Sequence, residues 1–277
     1  MFKWLTLSFL LLCCSNKKPH TEPLDAETVL RLKSLRSDLL AEYYDHTSAF
    51  KGGWPSDHDC DSALWAGEGR AADIYDIDIS LALQSDGRPT RLPGKDCPLD
   101  QTSATTSTDM QLGTVIGLFA AKDLDGLRAM SHYADVHNGI MGMPADKVSL
   151  TLMKPGIKAH LAKAIHNLGG PSSVWENFPQ VYTPPQSDYQ LHLEMLSIYQ
   201  ILVTHQNIDD MTAKTLSKEA SNNPSDALVQ AVAGNSVVAA SLILNLSYQL
   251  PIYVRGPMGA PYVHKLFVLH VLLRSYP

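Results

Sequence analysis

The stretch DYQLHLEMLSIYQILVTH, residues 188–205, decides the fold class. Leu191, Met195, Ile198 and Leu202 recur at spacings of three and four, the repeat of one helix face packed on a core. The same pattern spreads outward in both directions. On the C-terminal side it predicts short helices over 209–220 and 225–233. An almost wholly apolar helix over 236–248, opened by Asn235-Ser236, is expected at the centre of the core. A last helix over 262–274 follows a loop carrying Gly256, Pro257, Gly259 and Pro261.

On the N-terminal side, Pro155 suits the first turn of a helix that stops at Leu168-Gly169-Gly170. Asp123 or Asp125 opens another, ending near His137-Asn138-Gly139. Thr106-Ser107-Thr108 offers N-caps for a helix through Ala121. Helices over 61–75 and 78–84 come next. A longer one starts near Asp25, with Leu32, Leu35, Leu39 and Tyr43 in register. Strand signals are scarce, and residues 250–254 carry the best of them. The expectation is an all-α domain over 25–277, about ten helices paired as hairpins. Two long loops interrupt it: 85–107, and 171–187 with Trp175, Phe178 and Tyr182. Loops of that length are functional or disordered.

The amino terminus reads differently. Lys3 precedes an apolar run from Leu5 to Leu12, the layout of an export signal and too short to span a bilayer. The run ends Leu11-Leu12-Cys13-Cys14, which resembles the bacterial lipobox: Leu11 stands three residues before Cys14. Cys13 departs from the usual small residue there. The resemblance implies a signal over 1–14, lipid on Cys14, a membrane anchored through that lipid, and a place in the bacterial cell envelope, facing the periplasm or the outer membrane. The polar segment 15–24, with Pro19 and Pro23, reads as a tether. Cys60 and Cys97 are then the two remaining cysteines. In an oxidising compartment they either form a disulfide or stay as separate buried thiols.

Of the 277 residues, 45% are hydrophobic and 18% charged, which argues against disorder. The net charge of −6 leaves no basic footprint for nucleic acid. There is no GxSxG, P-loop, strand-borne GxGxxG or HExxH. Neither Cys60 nor Cys97 belongs to a CxxC pair, and the scattered histidines (132, 137, 160, 166, 192 and 205) read as structural. No metal and no cofactor are expected.

Three polar constellations remain. Asp57-His58-Asp59-Cys60-Asp61 precedes Trp65 and Glu68. Carboxylates at a loop-to-helix junction suit acid–base work, and a tryptophan face suits a sugar ring. Equally, Asp59 or Asp61 caps the helix and Trp65 belongs to the core. As a calcium loop this stretch fails, because Ser62 occupies the position that needs glycine. Asp86-Gly87-Arg88-Pro89-Thr90-Arg91 offers two arginines for a carboxylate or sulfate, or for solvent. Thr106-Ser107-Thr108-Asp109-Met110 places Asp109 in the first turn of a helix, where the dipole favours it.

Together with Cys60-Asp61-Ser62 and Asp86-Gly87-Arg88, the Thr-Ser-Thr-Asp-Met-x-Leu-Gly run of 106–113 resembles motifs of helical-toroid carbohydrate enzymes and of bacterial and phage lipoproteins. The similarity covers about residues 59–125. It implies an α/α-toroid-like single domain whose helix-end loops form one cleft, with Asp61, Asp109 and the arginines nearby. Two functions follow as expectations. One is a lipid-anchored glycoside hydrolase or polysaccharide lyase, with Asp59, Asp61 and Asp109 as acids and bases, Trp54 or Trp65 as platform, and Arg88 and Arg91 binding substrate. The other is a non-enzymatic envelope lipoprotein that binds a protein or glycan.

Overall fold

The computed structural model describes residues 21–47, 51–55, 60–97, 104–142, 151–178, 184–205, 208–245, 247–251, 254 and 259–276. Signal, lipobox and most of the tether lie outside these residues, as do Asp59, Tyr182 and residues 98–103. Ten α-helices run through the described residues, joined by turns and isolated bridges, and the fold is all-α.

Local chemistry starts and stops the helices. Asp25 caps α1 (Ala26–Thr47), accepting the Thr28 amide at 2.7 Å. α2 (Ser62–Ala71) is shorter than its periodicity predicts, because Asp73 takes a left-handed φ of 63° and turns the chain away. Residues 79–82 form a single 3-10 turn, not the expected helix. α3 (Thr108–Ala120) follows, and Asp123, not Asp125, caps α4 (Leu124–Val136). Pro155 opens α5 (Pro155–Asn167), and α6 spans Asp188–His205 as its pattern demands. α7 (Asp210–Asn222) and α8 (Ala227–Val232) are capped by Asp209 and Asp226. α9 (Ser236–Ile243) stops five residues early, and α10 (Ala260–Leu273) ends the set. Leu250 and Pro251 are not in a strand, and Val254 sits in a 3-10 turn.

The central helix is α10, not α9. α9 leaves Val237 and Val238 half exposed, whereas α10 buries residues all round its circumference, from Val263 and His264 to Leu272. It packs against α1, α2, α8 and α9. Each fully buried side chain there, such as Leu266 or Phe267, contributes ~1.5–3 kcal/mol. Residues 22–24 are part of this body: the Glu22 amide donates to the Gly234 carbonyl at 3.2 Å, and the Leu24 amide to the Tyr276 hydroxyl at 2.6 Å.

α2 and α3 lie closer than side chains permit. A Cβ on Gly67 would sit 1.8 Å from the Gly113 carbonyl oxygen, and one on Gly113 would sit 2.5 Å from the Leu64 Cα. One on Gly117 would reach the Gly67 Cα at 2.8 Å. Contacts advance together along both helices, so the pair is parallel and its two N-termini stand abreast.

The loop after Ala82 forms a strap across those N-termini. Arg88 holds Asp96 with two bonds of 2.7 and 2.8 Å, and the Ala63 amide donates to the Arg91 carbonyl at 3.0 Å. Cys60 and Cys97 are joined in a disulfide with their Cα atoms 5.8 Å apart.

Candidate functional site

The parallel α2–α3 pair brings Asp61 and Asp109 to the same end of the molecule. Asp61 occupies the N-cap position of α2 without bonding the helix amides through its side chain. Its carboxylate instead accepts from the Arg91 guanidinium at 3.0 Å. Arg91 also donates to the Ala104 and Cys60 carbonyls, at 3.0 and 3.3 Å. Asp109, in the first turn of α3, accepts a hydrogen bond from the Tyr189 phenol at the start of α6. Burial above all raises the Tyr189 pKa, with the Asp109 and Asp61 carboxylates adding to it and Arg91 opposing. Tyr189 therefore stays a neutral donor, and the field of both aspartates reaches it.

Asp109 opens onto a cleft of about 970 Å³. That is the upper range of small-molecule pockets, ~300–1,000 Å³. The first turns of α3 and α5 form one side, with Thr108, Asp109, Lys154 and Gly156. The face of α6 carrying Gln190, Leu193, Glu194 and Ser197 forms the other. His160 on α5 bonds the Ser197 hydroxyl across the floor at 2.7 Å. Phe178 stands at the rim, its ring 5.6 Å from that of Trp175.

Glu194 is the titratable group that the environment changes most usefully. Burial raises its pKa, the Glu219 carboxylate on α7 raises it further, and Lys218 opposes, bringing it to about 7. One carboxyl oxygen is buried without a hydrogen bond among the described residues. The cleft thus contains one carboxyl group protonated near neutrality and a second carboxylate held by a phenol donor.

Below it, in the core, lies a second polar cluster. Glu68 on α2, His192 on α6 and His264 on α10 are all fully buried. One ligand atom from each falls within 4.8 Å of the others. Glu68 Oε2 faces His192 Nε2 at 3.3 Å, and Oε1 faces His264 Nδ1 at 3.4 Å. Burial pushes the Glu68 carboxyl up, but the two imidazoles outweigh it and bring its pKa to about 2. Among the described residues, these three are grouped closely enough to hold a metal ion.

The residues expected from sequence fall in different places. Asp61, Arg91 and Asp109 gather around Tyr189. Arg88 is engaged by Asp96 and almost wholly buried, away from any incoming ligand. Trp54 is buried, its indole N–H donating to the Asp78 carbonyl at 2.8 Å, so it offers no face to a sugar. Trp65 is buried too, with its ring 5.5 Å from that of His192. Asp59 and Cys14 lie outside the described residues. Sequence reasoning missed Glu194, His160, Ser197 and Tyr189. The signal for Glu194 was a carboxylate within the apolar run of 191–202.

Comparison with protein-family models, curated proteins and solved structures finds no match to this chain. No helix among the described residues is long and apolar enough to cross a membrane.

Proposed function

We propose that this protein cleaves a glycosidic bond by acid–base chemistry in the cleft between α3, α5 and α6, while tethered to a membrane through lipid on Cys14. The observation that carries this reading is the pair Glu194 and Asp109, two carboxyl groups in unlike environments lining one cleft. Cleaving a glycosidic bond needs a protonated acid to protonate the leaving oxygen and a second, ionised carboxylate for water or for the developing positive charge. Glu194, protonated near pH 7, suits the first role. Asp109, held by the Tyr189 phenol, suits the second. Phe178, exposed at the rim, gives an apolar ring face that suits a sugar.

The test is a panel of oligosaccharides and polysaccharides, incubated with wild type, Asp109→Asn and Glu194→Gln, with reducing ends measured. Turnover by the wild type and at least a hundredfold loss in both variants is expected. Binding of a glycan with no turnover on any panel member would replace the enzyme with a glycan-binding lipoprotein.

A further inference from the structure

The buried cluster of Glu68, His192 and His264 takes no part in the proposed chemistry. Its three side chains come from α2, α6 and α10, and α6 and α10 also meet where the Tyr199 ring packs on Phe267 and its hydroxyl bonds His270 at 3.2 Å. A carboxylate in such a place is costly unless it is paired and well bonded. The pairing here is of an unusual kind. Glu68 divides its two oxygens between two imidazoles, one on each side, at 3.3 and 3.4 Å. Those separations exceed the ~2.7–2.9 Å of a charge-assisted hydrogen bond. Neither Glu68 oxygen and neither His264 ring nitrogen makes a hydrogen bond of acceptable geometry with the described residues.

The same separations fit a different arrangement. Ligands at ~2.0–2.1 Å from a tetrahedral zinc ion stand about 3.3 Å from one another. The two Glu68–imidazole separations, one at each carboxylate oxygen, are close to that value, and one donor atom from each residue lies within 4.8 Å of the other two. Two imidazoles with one carboxylate suit a divalent first-row transition ion; calcium and magnesium prefer oxygen alone. We propose that Glu68, His192 and His264 bind such an ion, with zinc as the representative member, and that it ties α2, α6 and α10 together in the core. The ion's charge offsets the buried carboxylate, and its bonds replace the misaligned contacts.

The test uses the full chain, purified without chelator from medium supplemented with Zn2+, and separately refolded with Zn2+ after EDTA treatment under denaturing conditions. Metal analysis is expected to find about one ion per chain, with a higher Tm in the refolded sample that received Zn2+. Glu68→Gln and His264→Asn are expected to lose the ion, while His132→Ala, outside the cluster, keeps it. X-ray absorption of the zinc-loaded wild type is expected to show two imidazoles in the first shell, a readout that does not depend on any variant folding. A folded wild type that takes up none of Zn2+, Co2+, Mn2+ or Fe2+ overturns the proposal. So does a folded His264→Asn variant that keeps its zinc, or a zinc shell without imidazole.

Discussion

The Tyr189 phenol donates its hydrogen bond to Asp109, joining the first turn of α6 to the first turn of α3. Eighty residues separate the two in sequence, and the bond crosses beside the Asp61–Arg91 pair. Tyr189→Phe removes one hydrogen bond to a charged acceptor, worth ~1.5–3 kcal/mol. The expected outcome is a 10- to 100-fold fall in kcat/KM on any glycan the wild type cleaves, with the helical circular dichroism unchanged. An unaltered rate would detach Asp109 from the chemistry.

Glu194 gives the cleft a pH dependence of definite sign. With its pKa at about 7, it is protonated below neutrality, so activity is expected to fall as pH rises through 7. Stability follows the same direction. The folded protein holds this proton more tightly than the unfolded chain, so stability is full below the unfolded pKa of ~4.3 and declines as pH rises towards 7. Glu194→Gln is expected to flatten that slope, read as urea midpoints between pH 4 and pH 8.

Space between α2 and α3 is set by the missing side chains of Gly67 and Gly113. Gly67→Ala puts a methyl group 1.8 Å from a carbonyl oxygen, where backbone has to move. Overpacking of this kind costs ~1–3 kcal/mol. Because the two N-termini carry Asp61 and Asp109, activity is expected to fall along with Tm. Gly139→Ala, with nothing within 4 Å of the added Cβ, serves as the control for introducing an alanine. Its φ of 83° gives it a backbone cost but no clash at the site.

The disulfide closes a loop across a sequence separation of 37 and fastens the strap over the start of α2. Loop-closure entropy puts its worth at about 4 kcal/mol. The double variant Cys60→Ser with Cys97→Ser is expected to lower stability by up to that amount in a urea titration. A larger loss of activity than of stability at 25 °C would show that the strap also positions Arg91 on Asp61.

Helix class and most helix starts were legible because they depend on local rules. Asp123, Asp209 and Pro155 act within one turn of where they stand. The errors arose where a distant contact wins. The apolar character of 236–248 predicts a central helix, but that position belongs to α10, whose packing partners come from both ends of the chain. Arg88 looked free because its partner Asp96 lies across a turn that spacing does not reveal. Asp61 and Asp109 were legible as polar residues at helix starts. Their meeting was not, since it depends on glycines in two helices packing backbone to backbone. Glu68, His192 and His264 are separated by 124 and 72 residues, and no spacing rule joins them. What marks Glu68 is local: a glutamate between two glycines.

The position of α10 also has a consequence in time. It is synthesised after every helix it packs against, and Tyr276, just beyond it, is the partner that holds Leu24. Until those residues emerge, α1, α2, α8 and α9 have no common surface to bury. α10 therefore closes a core that α2, α3, α5 and α6 can begin to pack among themselves.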